Sequence, residues 1–122
     1  MKPTLIAGFS PRPGRYSLLA LRALQNAGHQ VHLMGRKSGE FEGRRVFGLG
    51  EAPPPGLRVH TLTLYLRAEF QRPFYPCFLQ WQPHRIIFNP GTENPEFEDL
   101  CHREGIEALR ACTLVMLSTG QY

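Results

Sequence analysis

TLIAGFSPRPGRYSLLALRALQNA, Thr4 to Ala27, carries the pattern on which the fold turns. Thr4 to Ala7 is a short apolar run stopped by Gly8, as in a buried strand. From Ser17 to Ala27, residues Leu18, Ala20, Leu21, Leu24 and Ala27 share a face at helical spacing, and Gly28 supplies a C-terminal stop. Between strand and helix lies GFSPRPGRYS. Gly8 permits a sharp exit, Ser10 and Ser17 offer hydroxyls, and Arg12 and Arg15 add positive charge. The helix start contributes free amide groups and the positive end of its dipole. The spacing is G-x-S-x-x-x-G rather than G-x-G-x-x-G. By itself it reads equally as a phosphate loop or as a turn with a serine cap and solvated arginines.

Outward from this unit, strands and helices alternate. Gln30 to Met34 (QVHLM) predicts a second strand. Gly35 to Leu57 is rich in glycine and holds Pro53-Pro54-Pro55-Gly56, so no regular helix fits there and Arg45 to Phe47 is its one extended candidate. Val59 to Leu66 (VHTLTLYL) is β-branched and aromatic, hence a strand. The segment AEFQRPFYPCFLQW is apolar enough to pack as a helix, confined to its later part by Pro73 and Pro76. Arg85 to Phe88 (RIIF) predicts a strand, and Asn94-Pro95 opens a helix with a good N-cap and proline at the first position. Phe97, Leu100 and Cys101 form its buried side before Gly105, and Ile106 to Leu109 makes the last strand. This order specifies an α/β fold: a Rossmann-like, doubly wound, mainly parallel sheet with helices on both faces, in a single domain over residues 1–122.

Composition narrows the partners. The 122 residues include 14 Lys and Arg against 10 Asp and Glu, a formal net charge of +4 that suits a phosphorylated small molecule. The basic residues are scattered apart from Arg12/Arg15, Arg36/Lys37 and Arg44/Arg45, without the dense stripe of a nucleic-acid binder. No run approaches the roughly 20 apolar residues of a membrane span. Cys77, Cys101 and Cys112 lack metal-ligand spacing and suit a reducing, cytoplasmic setting. A protein partner or homodimer is not specified.

In doubly wound sheets ligands lie at the carboxyl ends of the strands, where strand order reverses. After the second strand an NAD site would place an acid for the ribose hydroxyls; this chain has Gly35-Arg36-Lys37. Cations there suit a ribose phosphate, as in NADP or coenzyme A. The other helix start, TENPEFED, carries Glu93, Glu96, Glu98 and Asp99, which would repel phosphate. Phosphate therefore belongs at the first helix.

With these residues in place the chain resembles the CoA-binding domain family, which includes small stand-alone proteins and is similar to the N-terminal domain of the succinyl-CoA synthetase α subunit. The matching pieces are IAGFSPRPGRYS, AGHQVHLMGRKSGEFEGRRVFG, TLTLYLRAE, RIIFNPGTENPE and EGIEALRACTLVML, in the family's order over nearly the whole chain. The resemblance implies a Rossmann-type domain that binds coenzyme A or an acyl-CoA and has no catalytic machinery. By position, Gly8, Ser10, Pro13, Gly14 and Ser17 match the phosphate loop, with Arg15 beside them. Lys37 matches the basic residue after the second strand, and Arg36 is its neighbour. Leu66 and Gly91 fall where the family lines its ligand cleft. Many relatives have Asn-Pro-Lys where this chain has Gly35-Arg36-Lys37, and NPGTENPE departs from their WLQLG-type segment.

No catalytic constellation stands out. His29, His32, His60, His84 and His102 form no pair with a carboxylate or cysteine at motif spacing and read as structural or surface residues. Cys112 follows the last strand, where a thiol could form a mixed disulfide with coenzyme A or pack as a small apolar side chain. The other readings are an NADP-binding oxidoreductase or its relic, and an interaction module without ligand. The first lacks the dinucleotide fingerprint and an evident acid or base for hydride transfer.

Overall fold

The computed structural model describes all residues, Met1 to Tyr122. Strand β1 (Thr4–Phe9) is followed by helix α1 (Tyr16–Asn26) and strand β2 (Val31–Gly35). A hairpin, β3 (Gly39–Phe41) and β4 (Arg44–Gly48), precedes β5 (Thr61–Leu64). Two 3-10 turns, Ala68–Phe70 and Arg72–Phe74, lead into α2 (Tyr75–Gln80). The chain then forms β6 (Arg85–Phe88), α3 (Pro95–Arg103), β7 (Glu107–Arg110) and α4 (Thr113–Ser118).

The seven strands form one sheet in the order β3-β4-β2-β1-β5-β6-β7, with β3 the only antiparallel member. The sheet is a Rossmann-like doubly wound fold. Its inner strands β1, β2, β5 and β6 are buried along nearly their whole length because both faces are covered. Along β1, Leu5 and Ala7 enter the cluster with Phe78, Trp81 and Phe97 from α2, its C-cap and α3. Ile6 and Phe9 enter the opposite cluster with Ala20, Leu21, Leu24 and Met116 from α1 and α4. β2 lies on one side of β1 and β5 on the other, so the loops leaving β1 and β5 diverge at the switch point.

Several elements depart from the sequence reading. The extended run at Arg45–Phe47 is half of a hairpin whose turn residues Glu42 and Gly43 both have positive φ, 51° and 76°. That is the backbone twist a tight two-residue hairpin demands. β5 is shorter than Val59–Leu66 because it pairs residue for residue with Thr4–Ala7 of β1. Tyr65 donates one last backbone bond to Ala7, and Gly8 then breaks the register. The closing strand runs Glu107–Arg110, one residue later than expected. α4 went unpredicted; Thr113 and Met116 bury its inner side.

Candidate functional site

The carboxyl ends of β1, β2 and β5 surround a cleft of about 580 Å³. Gly8 creates its floor. It has φ +93°, and a Cβ there would lie 2.8 Å from the Tyr65 carbonyl carbon. Only glycine lets the exits of β1 and β5 approach so closely. Gly35 does the same on the other flank, where a Cβ would meet the Phe9 carbonyl oxygen at 2.9 Å.

The β1–α1 loop folds over this floor. The Ser10 amide donates to the Ser17 hydroxyl at 2.9 Å, and the Arg12 amide donates to the Ser10 hydroxyl at 3.3 Å. Arg15, not a serine, is the N-cap of α1; no side chain caps the helix and its first turn holds no acid. Its first amides therefore remain available to a ligand. α3 is the opposite case. Asn94 accepts from the Phe97 amide and Glu96 and Glu98 occupy the first turn, so that end is already satisfied and negative.

Arg12, Arg15, Arg36 and Lys37 all line the cleft. The four ion pairs, Arg22–Glu42, Arg45–Glu51, Arg72–Glu96 and Arg110–Glu98, lie among other residues, so these cations face no acidic partner. Glu40 is the single carboxylate in the lining. The hairpin supplies the outer wall. Phe41 packs edge-on against Phe9, with ring centroids 5.2 Å apart, and Val46 and Leu49 add apolar surface. Arg22 ties the hairpin to α1 through both oxygens of Glu42 at 2.7 Å. Tyr65 forms part of the inner wall; burial pushes its phenol up to about 12, so it stays neutral.

Of the residues expected from sequence, Gly8, Ser10, Arg15, Arg36, Lys37 and Leu66 line this cleft. Pro13 and Gly14 sit on the same loop, exposed, without facing the cavity. Ser17 is only 3% exposed and its hydroxyl is engaged by Ser10, so it shapes the loop from within. Gly91 lies at the exit of β6, outside the cleft, where its amide donates to Glu93. Phe41, Val46, Leu49 and Tyr65 were missed; the E-G-R-R turn between Phe41 and Val46 was the available signal. Cys112 is half-buried at the start of α4 and does not line the cleft. Cys77 and Cys101 are buried, and burial pushes the Cys101 thiol up to about 12.

A doubly wound sheet with a basic cleft at its switch point defines a Rossmann-like binding domain. The model of the CoA binding domain family matches residues 2–118, and the chain belongs to that family. It is similar to an uncharacterized protein of known crystal structure, 42% identical at TM-score 0.90, with 100% of this chain and 98% of that one covered. A hypothetical protein from Pyrococcus horikoshii OT3 shares the fold at 18% identity and TM-score 0.82, over 97% of this chain and 82% of that one. So does cell-free ID.343 from Thermus thermophilus, at 19% identity and TM-score 0.80, over 99% and 90%. No curated protein matches the chain.

Proposed function

We propose that the chain binds coenzyme A or an acyl-CoA and performs no reaction of its own. The pyrophosphate sits in the Gly8–Ser17 loop against the first turn of α1. Arg36 and Lys37 receive the ribose phosphate, and Val46 and Leu49 take the adenine. The observation that carries this reading is the uncapped, acid-free start of α1, whose N-cap Arg15 lines a cleft with three further cations, none of the four paired with an acid. Such a site is already built for phosphate oxygens.

Membership of the CoA-binding family supports coenzyme A as the anion. The cleft volume lies within the range of about 300–1,000 Å³ usual for small-molecule sites. Its ionisable side chains are the four cations, Glu40 and a phenol kept neutral, a set suited to recognition rather than proton transfer. Three free thiols support a reducing compartment such as the cytoplasm.

Calorimetric titration with coenzyme A, acetyl-CoA, NADP and NAD tests the reading. Coenzyme A or its acetyl ester should bind tightest. Tighter binding of NADP would move the assignment to a dinucleotide enzyme or its relic, since Arg36 and Lys37 would equally accept a 2′-phosphate. Binding of none would leave an interaction module.

A further inference from the structure

A second concavity, about 360 Å³, lies beside the cleft and is lined by Ala68, Glu69, Arg72, Tyr75, Asn94 and Glu96. Leu66 borders the cleft and Ala68 the groove. Two residues of chain span at most about 7 Å, so the two concavities are adjacent. The ridge between them is fixed from below. Gln71, fully buried, donates to the carbonyls of Leu66 at 2.7 Å and Thr92 at 2.9 Å, and accepts from Asn94 at 2.9 Å.

We infer that this groove seats the pantetheine arm of coenzyme A together with a short, uncharged acyl group. The inference rests on the coenzyme A reading above. With the pyrophosphate at α1 and the adenine toward β4, an arm that leaves across the exit of β5, over Leu66, reaches this groove at Ala68. Its walls match a chain of amides. Glu96 is bonded by Arg72 at 2.9 and 2.5 Å and by the Tyr75 hydroxyl at 3.0 Å, which presents a solvent-facing row of donors and acceptors. Arg72 Nη1 is left with no partner in that array and is free for an amide carbonyl.

The lining also limits the acyl group. Only Ala68 and the Tyr75 ring are apolar, too little to bury a long hydrocarbon chain. Arg72 is neutralised by Glu96, while Glu69 takes part in no ion pair, so the groove keeps a net negative charge. A carboxylated acyl group would be repelled; an acetyl group or a free thiol would not.

Calorimetry with adenosine 3′,5′-bisphosphate, coenzyme A, acetyl-CoA and succinyl-CoA tests this on the native chain and on Ala68→Trp and Glu69→Lys. Coenzyme A and acetyl-CoA should bind the native chain about tenfold or more tighter than the bisphosphate. Ala68→Trp fills the groove and should abolish that advantage while leaving the bisphosphate within about twofold. Succinyl-CoA should bind less tightly than acetyl-CoA, and Glu69→Lys, an exposed change that leaves packing alone, should reverse the order. Coenzyme A binding no tighter than the bisphosphate overturns the inference and leaves the nucleotide site standing. So does an advantage that survives Ala68→Trp together with an order unmoved by Glu69→Lys. Failure of the bisphosphate and coenzyme A alike overturns both readings.

Discussion

The Ser17 hydroxyl accepts a hydrogen bond from the Ser10 amide at 2.9 Å, so the first turn of α1 closes the loop that leads into it. Ser17→Ala leaves that amide without its partner and should cost about 1 kcal/mol, read as a shift in denaturant midpoint at constant slope. Ser10→Ala removes only the exposed 3.3 Å contact to the Arg12 amide and should change stability by less than about 0.5 kcal/mol. Its effect should fall on coenzyme A affinity instead. Equal stability losses in the two variants would contradict this division between an inner brace and an outer ligand.

Gly8 is bound to its place by geometry on two counts. An alanine there would have to hold φ near +93° and would place its Cβ 2.9 Å from the Tyr65 carbonyl oxygen. Gly14 has φ +84° but open space around it. Gly14→Ala should therefore cost about 1–2 kcal/mol of backbone strain alone. Gly8→Ala should cost clearly more and should reduce ligand affinity, because the exits of β1 and β5 must separate. Thermal unfolding of both variants checks the order.

Arg36 and Lys37 are exposed and free of ion pairs, so neither holds the fold together. Lys37→Glu should leave the unfolding midpoint almost unchanged. It should weaken coenzyme A binding by about 1.5–3 kcal/mol, the scale of one charge-assisted hydrogen bond. Dephospho-coenzyme A, which lacks the ribose phosphate, should lose far less. A similar loss for both ligands would move Lys37 from the ribose phosphate to the general field of the cleft.

The parts of this site visible in the sequence are those with short-range causes. Thr4–Ala7 is apolar enough to need burial on both sides, and Leu18 to Leu24 keep one helical face, so the central strand–loop–helix unit follows from local pattern. Arg36 and Lys37 follow because they come straight after a strand. The Ser17 hydroxyl is engaged by an amide seven residues back, a choice made by the fold of the loop and not visible in spacing. The β3–β4 wall was hidden for a similar reason. Gly39–Phe41 is exposed at two of three positions, and its pairing with Arg44–Val46 is a tertiary fact. Gly91 kept its place at a strand exit, yet β6 is two strands away from the phosphate loop. Position in the chain could not measure that distance.

Acid should loosen this fold before it protonates the carboxylates. His29, His32 and His60 all have pKa values below the ordinary 6.5, chiefly because burial disfavours the imidazolium. Nearby cations add to this: the N-terminal amine, Lys2 and Arg85 around His29, Arg44 beside His32, and Arg85 and Lys2 around His60, where Glu107 opposes them. His32 also buries an Nε2 with no hydrogen-bond partner. A lowered pKa in the folded state means that the unfolded chain binds more protons below pH 6.5, so stability falls as pH falls through that window. Glu42 and Glu96, held down by Arg22 and Arg72, act only below the ordinary carboxyl value of 4.5. The unfolding midpoint should therefore drop between pH 7.5 and 5.5, and His32→Gln should flatten part of that slope. A midpoint that holds or rises on acidification would mean that these rings gain solvent or a partner the folded chain does not give them.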